Sequence, residues 1–344
     1  MPAQELTAER VKRKALECGA DLVGIGSIDR WEGAPVQQDP RQIMPEAKSI
    51  VAVAFRVMRG SLRGVEEGTF FSNYSAMGYG GITYLYMPMT VINIAKAIED
   101  FGYEAIPYGH QSDWRAIDQV GRLRDRYSVP VAPGRAHPDV MVNLRIAGYL
   151  CGIGEIGWSK MFLTKRFGPR QRVGIIITEA PLEPDPVMKP GTLCNRCMAC
   201  VNACPAHAIP ADKSVKVKLG GYDVEWADVD MERCDVCFRG ADFKTADDGR
   251  PDYTDNLCLG HRTKPGWWSP FFKKPRNLYN TGQAVCGARG CTRACMMAME
   301  ARGAVENTFH APFRRRPAWR VDWSDAAGPP APPPPPAVPP SETD

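Results

Sequence analysis

The chain has 344 residues, 44% hydrophobic and 24% charged, enough apolar matter for a sizeable core in one large or two ordinary domains. Glycine and proline follow no triplet period and no heptad pattern persists, which excludes a collagen-like fibre and a coiled coil. With 43 basic against 39 acidic residues the formal charge is only +4, so charge demands neither a nucleic-acid nor a membrane partner.

The first elements are expected where Thr7 can cap a helix with Glu9 in its first turn. Val11, Ala15, Leu16 and Cys18 share one face of that helix, with Cys18 as core filler. Residues 21–25 and 49–55 read as short buried strands, and 88–102 as an amphipathic helix ending in glycine. The apolar run 49–55 is far too short to cross a bilayer. Residues 1–13 are charged, with no twin arginine or apolar export segment, which points to the cytoplasm. Residues 104–107 form another strand-like stretch, 143–150 a helix leading into a glycine-rich turn (Gly152, Gly154, Gly157), and 173–178 a β-branched strand. The sum is an α/β domain over residues 1–187. The glycines suit close approach of the backbone to a bulky cofactor, or simply a tight turn. Their order is wrong for a dinucleotide fingerprint.

A proline-broken connector at 180–186 introduces a second part, 188–310, that holds ten of the twelve cysteines. A chain of this length needs no disulfide staples and a reducing compartment would not keep them, so thiolates bound to metal are expected. Cys194, Cys197, Cys200 and Cys204-Pro205 have the C-x2-C-x2-C-x3-C-P spacing. Three sulfurs at steps of three on a tight loop can face one [4Fe–4S] cubane, while the fourth faces a second. Zinc wants two separated pairs instead. A second cluster then needs further ligands from Cys286, Cys291 and Cys295; Cys295 keeps the x3 step and returns to the first cluster, leaving Cys286 and Cys291 with Cys204. Cys234, Cys237 or Cys258 supplies the last ligand. Two oxidised clusters of about −2 each would bring the +4 close to neutrality. Two clusters with crossed ligands are a relay for single electrons. Residues 311–344 are expected to be a tail, basic at Arg314–Arg316 and then proline-rich, with nine prolines in the twelve residues 329–340.

An α/β domain, the stretch 147–158 (AGYLCGIGEIGW), then 167–172 (FGPRQR), 181–185 (PLEPD) and the two-cluster module resemble the corrinoid-dependent reductive dehalogenases and their relative epoxyqueuosine reductase. Gly-Glu-Ile-Gly, in place of the Gly-Trp-Ile-Gly of the epoxyqueuosine reductases, leans toward the dehalogenase branch. The resemblance spans roughly residues 10–300. It implies a nitroreductase-like domain holding base-off cobalamin or another corrinoid, followed by a ferredoxin-like domain with two [4Fe–4S] clusters. It also implies a cytoplasmic oxidoreductase that cleaves a bond in a small organic substrate, with electrons from an external donor such as ferredoxin or flavodoxin. By position in the family pattern, Cys234 becomes the eighth cluster ligand. Two departures stand out: x4 between Cys286 and Cys291 where the family has x2, and Met296 after Cys295 where it has proline.

Reductive cleavage leaves negative charge, so an acid and a cation should face the reacting centre. The resemblance suggests a tyrosine acid with a downstream basic residue, which Tyr108 with Arg170 or Arg172 would match, or an aspartate before the glycine turn, matched by Asp139. Each also has an ordinary reading: Tyr108 on the surface, Asp139 capping a helix that enters at Val140, Arg170 paired with a surface acid. The aromatic run 267–272 suits a cavity lining or a packing loop. Two other functions stay open: a tRNA-modifying enzyme of the epoxyqueuosine reductase type, and a corrinoid-free ferredoxin-like electron carrier.

Overall fold

The computed structural model describes residues 5–64, 73–110, 130–238 and 285–313, together with the backbone of three short strand pairs at 116–117 with 123–124, 242–245 with 251–252, and 255–256 with 261–262. Cys258, the aromatic run 267–272 and Arg314–Arg316 with the proline-rich tail lie outside the described residues.

The chain opens with helix α1 (Ala8–Glu17), where the Thr7 hydroxyl accepts the Arg10 N–H and Glu9 stands in the first turn, favourable against the helix dipole. Val11 and Ala15 are its buried stripe; Leu16, expected beside them, is half exposed because it lies a further 100° round the helix. Strands β1 (Leu22–Ser27) and β2 (Ser49–Arg56) follow, then helix α2 (Met87–Glu99) and strand β3 (Ala105–Tyr108). Helix α3 (Leu144–Leu150), a small hairpin of β4 (Glu155–Ile156) and β5 (Phe162–Leu163), and strand β6 (Gln171–Thr178) complete this part.

Four strands form one sheet in the order β1-β2-β6-β3, antiparallel at every pairing. The β-branched run of β2 is buried on both faces: Val51, Val53 and Phe55 join the core under α1 and α2, whereas Ile50, Ala52 and Ala54 face α3. The fold is therefore mixed α/β around an antiparallel sheet. The helix expected from 88 starts one residue earlier and is preceded by a wide π-helical segment, Tyr74–Tyr86, which no periodicity had announced.

In the cysteine-rich part, α4 (Ala199–Asn202) precedes a hairpin of β7 (Ser214–Leu219) and β8 (Tyr222–Ala227), then α5 (Met231–Phe238), α6 (Val285–Arg289) and α7 (Cys291–Ala301). Cys200, Cys204 and Cys237 belong to the same buried cluster as Val11, Val53 and Ile98, so the first core continues past residue 187. The chain then returns to the first part: Glu306 and Asn307 donate their N–H groups to the Lys165 and Arg166 carbonyls. Phe313 is 8% exposed and packs in the core, which sets the start of the expected tail beyond 311.

Candidate metal centres and the cationic group beside them

The loop from Cys194 to Cys200 turns by two left-handed residues, Arg196 (φ 53°) and Met198 (φ 57°). Left-handed non-glycine residues cost about 1 kcal/mol or more each and persist where the surroundings demand them. Cys194, Cys197 and Cys200 line one small cavity, and Cys295 from α7 closes it. Cys200 and Cys295 have thiols pushed up, first by burial and then by the neighbouring cysteines. The Trp158 N–H donates to the Cys194 sulfur at 3.3 Å. Beneath the loop, the Glu155 carboxylate is 1% exposed and accepts the N–H groups of Leu193 (3.0 Å) and Cys194 (2.5 Å).

One turn before Cys295 on the same helix, α7, stands Cys291. Burial raises its thiol to about 12, and the neighbours adding to that include Cys204 and Cys234. Cys286 and Cys291 in turn act on the buried Tyr74 phenol. The expected second set, Cys204, Cys234, Cys286 and Cys291, thus occupies one neighbourhood, next to the first through α7. Cys237, on the same helix as Cys234, is buried in the core. No disulfide joins the eleven cysteines among the described residues, and no three His, Cys, Asp or Glu side chains among those residues close on a single metal ion. The first set surrounds a space instead of meeting at a point.

The three turn glycines face protein. A Cβ on Gly152 (φ 77°) would sit 2.4 Å from the Pro186 carbonyl, one on Gly154 would sit 2.1 Å from the Leu163 carbonyl, and one on Gly157 would sit 2.9 Å from the Leu163 side chain and 3.5 Å from the Cys194 sulfur. Their lack of side chains lets α3, the β4–β5 hairpin and the cysteine loop pack, and leaves no cradle there for a cofactor.

Tyr108 and Asp139 are brought together. The Tyr108 hydroxyl donates to the Val140 carbonyl (3.1 Å) and accepts the Val142 N–H (3.0 Å), and its phenol is raised by burial. Asp139 is 7% exposed, with Gln37 Nε2 bridging its carbonyl (3.0 Å) and Oδ1 (3.4 Å). Asp139 caps no helix: α3 starts at Leu144 and the cap is Asn143, whose Oδ1 accepts from the Arg145 and Ile146 N–H groups. Arg170 is 1% exposed and donates to the Val57 carbonyl (2.8 Å) and to Asn307 Oδ1 (3.0 Å), joining the sheet to the returning segment 303–313. Burial lowers its pKa, which Glu300 offsets.

A group that sequence reasoning passed over lies beside the second cysteine set. Arg172 donates to the Tyr74 hydroxyl (3.2 Å) and lies 4.6 Å from the Tyr79 ring, and its buried Nε–H has no acceptor. The Tyr79 and Tyr84 hydroxyls are 3.3 Å apart, and Tyr84 meets the His110 ring edge-on at 5.5 Å. Arg145 and His110 are exposed side chains, yet loss of water lowers the pKa of both, and Arg172 lowers each further. Lys160, held left-handed at φ 60°, is lowered by burial and then by Arg145. Cys234 and Cys291 act in the opposite direction on Arg145. One sign of this group was legible: a lone cation at the start of the apolar helix 144–150 opposes the helix dipole and calls for another purpose.

Comparison with known proteins follows the same lines. No family model matches the chain. A tetrachloroethene reductive dehalogenase of Desulfitobacterium hafniense is 30% identical over 164 residues, 45% of this chain and 24% of that protein. The epoxyqueuosine reductase of Synechococcus sp. (strain CC9605) is 24% identical over 236 residues, 60% of this chain and 62% of that protein. The chain is a relative of the reductive dehalogenases and epoxyqueuosine reductases. It spans about a quarter of the length of the dehalogenase and under two thirds of that of the epoxyqueuosine reductase. Among solved structures, the catabolic reductive dehalogenase NpRdhA in complex with 3-bromo-4-hydroxybenzoic acid aligns at 21% identity and TM-score 0.45, over 66% of this chain and 28% of that one. Epoxyqueuosine reductase from Streptococcus thermophilus aligns at 18% and 0.42, over 62% and 55%. The relatives in both groups are reductases, and no helix among the described residues is long and apolar enough to cross a membrane.

Proposed function

We propose that the chain is an iron–sulfur, corrinoid-dependent reductase of the reductive dehalogenase type, which cleaves a bond in a small organic substrate. The observation that carries this reading is the convergence of Cys194, Cys197, Cys200 and Cys295 on one small cavity, with the Trp158 N–H donated to the Cys194 sulfur. Cys194, Cys197, Cys200 and Cys295 would hold one [4Fe–4S] cluster, and Cys204, Cys234, Cys286 and Cys291 the other. The left-handed turns of the cysteine loop and the N–H donated to the Cys194 sulfur suit such a cluster. A nitroreductase-like first part and a ferredoxin-like second part belong to the same proposal.

Clusters of this kind supply single electrons, and a reduced corrinoid supplies the nucleophilic cobalt. Support for the corrinoid comes from the relatives; Gly152, Gly154 and Gly157 give it none. Cys197 is exposed, so an external donor such as ferredoxin or flavodoxin would reach the relay there. Asp139 is the proton donor in this reading, and Tyr108 positions it by holding the backbone at Val140 and Val142. Arg172, fixed against Tyr74 and Tyr79, would offset negative charge that develops during the reaction. Arg170 has its donors committed to Val57 and Asn307 and acts on the fold.

Anaerobic reconstitution with iron, sulfide and cobalamin tests the proposal, with metal analysis and cobalt EPR. About eight irons and one base-off cobalt per chain is the expected result. Eight irons without cobalt would assign the chain to electron carriage, and bound zinc would remove the relay.

A further inference from the structure

Three carboxylates are buried among the described residues: Asp39, Asp139 and Glu155. Asp39 meets Arg41 at 2.9 Å and Asp139 meets Gln37 at 3.4 Å, whereas Glu155 forms no ion pair among the described residues. Its two oxygens take one N–H each, Oε2 from Leu193 at 3.0 Å and Oε1 from Cys194 at 2.5 Å. Glu155 stands opposite Leu163 in the β4–β5 hairpin, and Leu163 and Leu193 belong to the small core against which Cys194 and Cys295 pack. Glu155 also borders a cavity of about 400 Å³ together with Arg196, Lys216 and Lys218. Those cations have acids of their own: Arg196 pairs with Glu225 at 2.6 Å, and Lys216 and Lys218 stand opposite Glu225 and Asp223 in the β7–β8 hairpin. A carboxylate that is 1% exposed is therefore held one hydrogen bond from the backbone of a first-set cysteine. The second set has a cation beside it instead. Tyr74, whose hydroxyl accepts from Arg172 at 3.2 Å, lies 3.6 Å from the place of a Cβ on Gly287, the residue after Cys286. A Cβ on Gly290, the residue before Cys291, would meet Pro205 at 2.8 Å and the Ala203 carbonyl at 3.0 Å, on either side of Cys204.

We infer that Glu155 sets the potential of the first cluster and keeps it harder to reduce than the second. Reduction adds one electron and no proton, taking a cluster with its thiolates from about −2 to about −3. A fixed negative charge opposes that step, and more strongly where water is excluded. At an effective dielectric of about 20, one charge about 12 Å away changes a one-electron ratio about tenfold, and more when closer. The Cys194 N–H, given to Glu155, is also withheld from sulfur, where hydrogen bonds favour the more negative state. Arg172 acts in the opposite sense at the second set, so an electron entering at the first cluster moves on to the second. This rests on the proposed function for its two clusters and adds the residue that orders them.

The test is a potentiometric titration of the anaerobically reconstituted protein with dithionite, followed by cluster EPR, with iron counted on the same samples. The reduction step absent from Cys295→Ala reports the first cluster. In the unaltered protein that step should come at lower potential than the other, and the opposite order overturns the inference without any change at Glu155. Glu155→Gln keeps the shape and removes the charge, and should raise the reduced-to-oxidised ratio at fixed potential about tenfold, a shift of about 59 mV. Glu155→Asp keeps the charge and should stay within about threefold of the unaltered protein. Glu306→Gln, which alters an exposed acid paired with Lys165 at 3.0 Å, should leave the step in place. A full set of irons in Glu155→Gln with an unmoved step refutes the role of Glu155. A shift in Glu155→Asp as large as that in Glu155→Gln also refutes it, since it marks an effect of shape. If Glu155→Gln loses the first cluster, the order of the two steps in the unaltered protein decides. Zinc, or far fewer than about eight irons, in the unaltered protein refutes the proposed function; about eight irons with no effect of charge refutes this inference alone.

Discussion

Arg170, whose donors join the sheet to the returning segment, should carry stability when it is changed to methionine. Arg170 is almost fully buried and donates to the Val57 carbonyl at 2.8 Å and to Asn307 at 3.0 Å. Hydrogen bonds from a charged donor are worth about 1.5–3 kcal/mol each, and their loss leaves two acceptors unanswered. Against this stands the relief of a buried charge whose pKa is already lowered by burial. The net expectation for Arg170→Met is a loss of about 3 kcal/mol, a fall in Tm of about 4 °C for a chain of this size. The assay is thermal unfolding followed by circular dichroism on the reconstituted protein, with iron content measured on the same sample. The iron content should stay as in the unaltered protein. An unchanged Tm would refute the assignment of the Arg170 donors to the fold.

Four further outcomes follow from the geometry. Cys295→Ala and Cys291→Ala should each remove about four irons per chain, whereas Cys237→Ala should keep about eight, counted by iron analysis after anaerobic reconstitution. Glu155→Ala strips the Leu193 and Cys194 N–H groups of their buried acceptor and should lower iron occupancy of the first cluster, with Glu155→Gln retaining more. Gly154→Ala forces a Cβ to within 2.1 Å of the Leu163 carbonyl and should destabilise by about 1–3 kcal/mol, whereas Gly60→Ala, with nothing within 4 Å, should stay within about 0.5 kcal/mol of the parent in urea unfolding. Tyr108→Phe removes both the donor to Val140 and the acceptor for Val142 and should cost about 1–3 kcal/mol as well as activity, read by the same unfolding assay.

The elements most legible in the sequence were those where one local rule decides. The Thr7 cap, the doubly buried run of β2 and the Cys194–Cys204 spacing each follow from residues close in the chain. What escaped depends on distant contacts. Arg170 read as a basic site residue or the partner of a surface acid because Val57 and Asn307, its acceptors, lie 113 and 137 residues away. The glycines of the 152–157 turn suggested a cofactor because composition says only that a side chain is unwelcome, not whether a ligand or the protein's own carbonyl excludes it. The Tyr74–Tyr86 π-helical segment mixes tyrosine and glycine in a pattern that no α or β period captures. Yet that irregular stretch sets Tyr74, Tyr79 and Tyr84, five residues apart, around Arg172.

The placement of charge ties the two halves of the molecule into one device. Arg145 starts a helix that is otherwise apolar, against the preference of the helix dipole for an anion at that end, and its local cost is answered by Cys234 and Cys291 from the other half. Thiolates holding a cluster at the second cysteine set would, under the proposed function, lower the cost of the nearby cations, which in return would favour reduction of that cluster. Each half accordingly stabilises a feature the other could not keep alone, which is why one continuous core runs from Val11 to the cysteines and why segment 303–313 returns to clasp the sheet through Arg170.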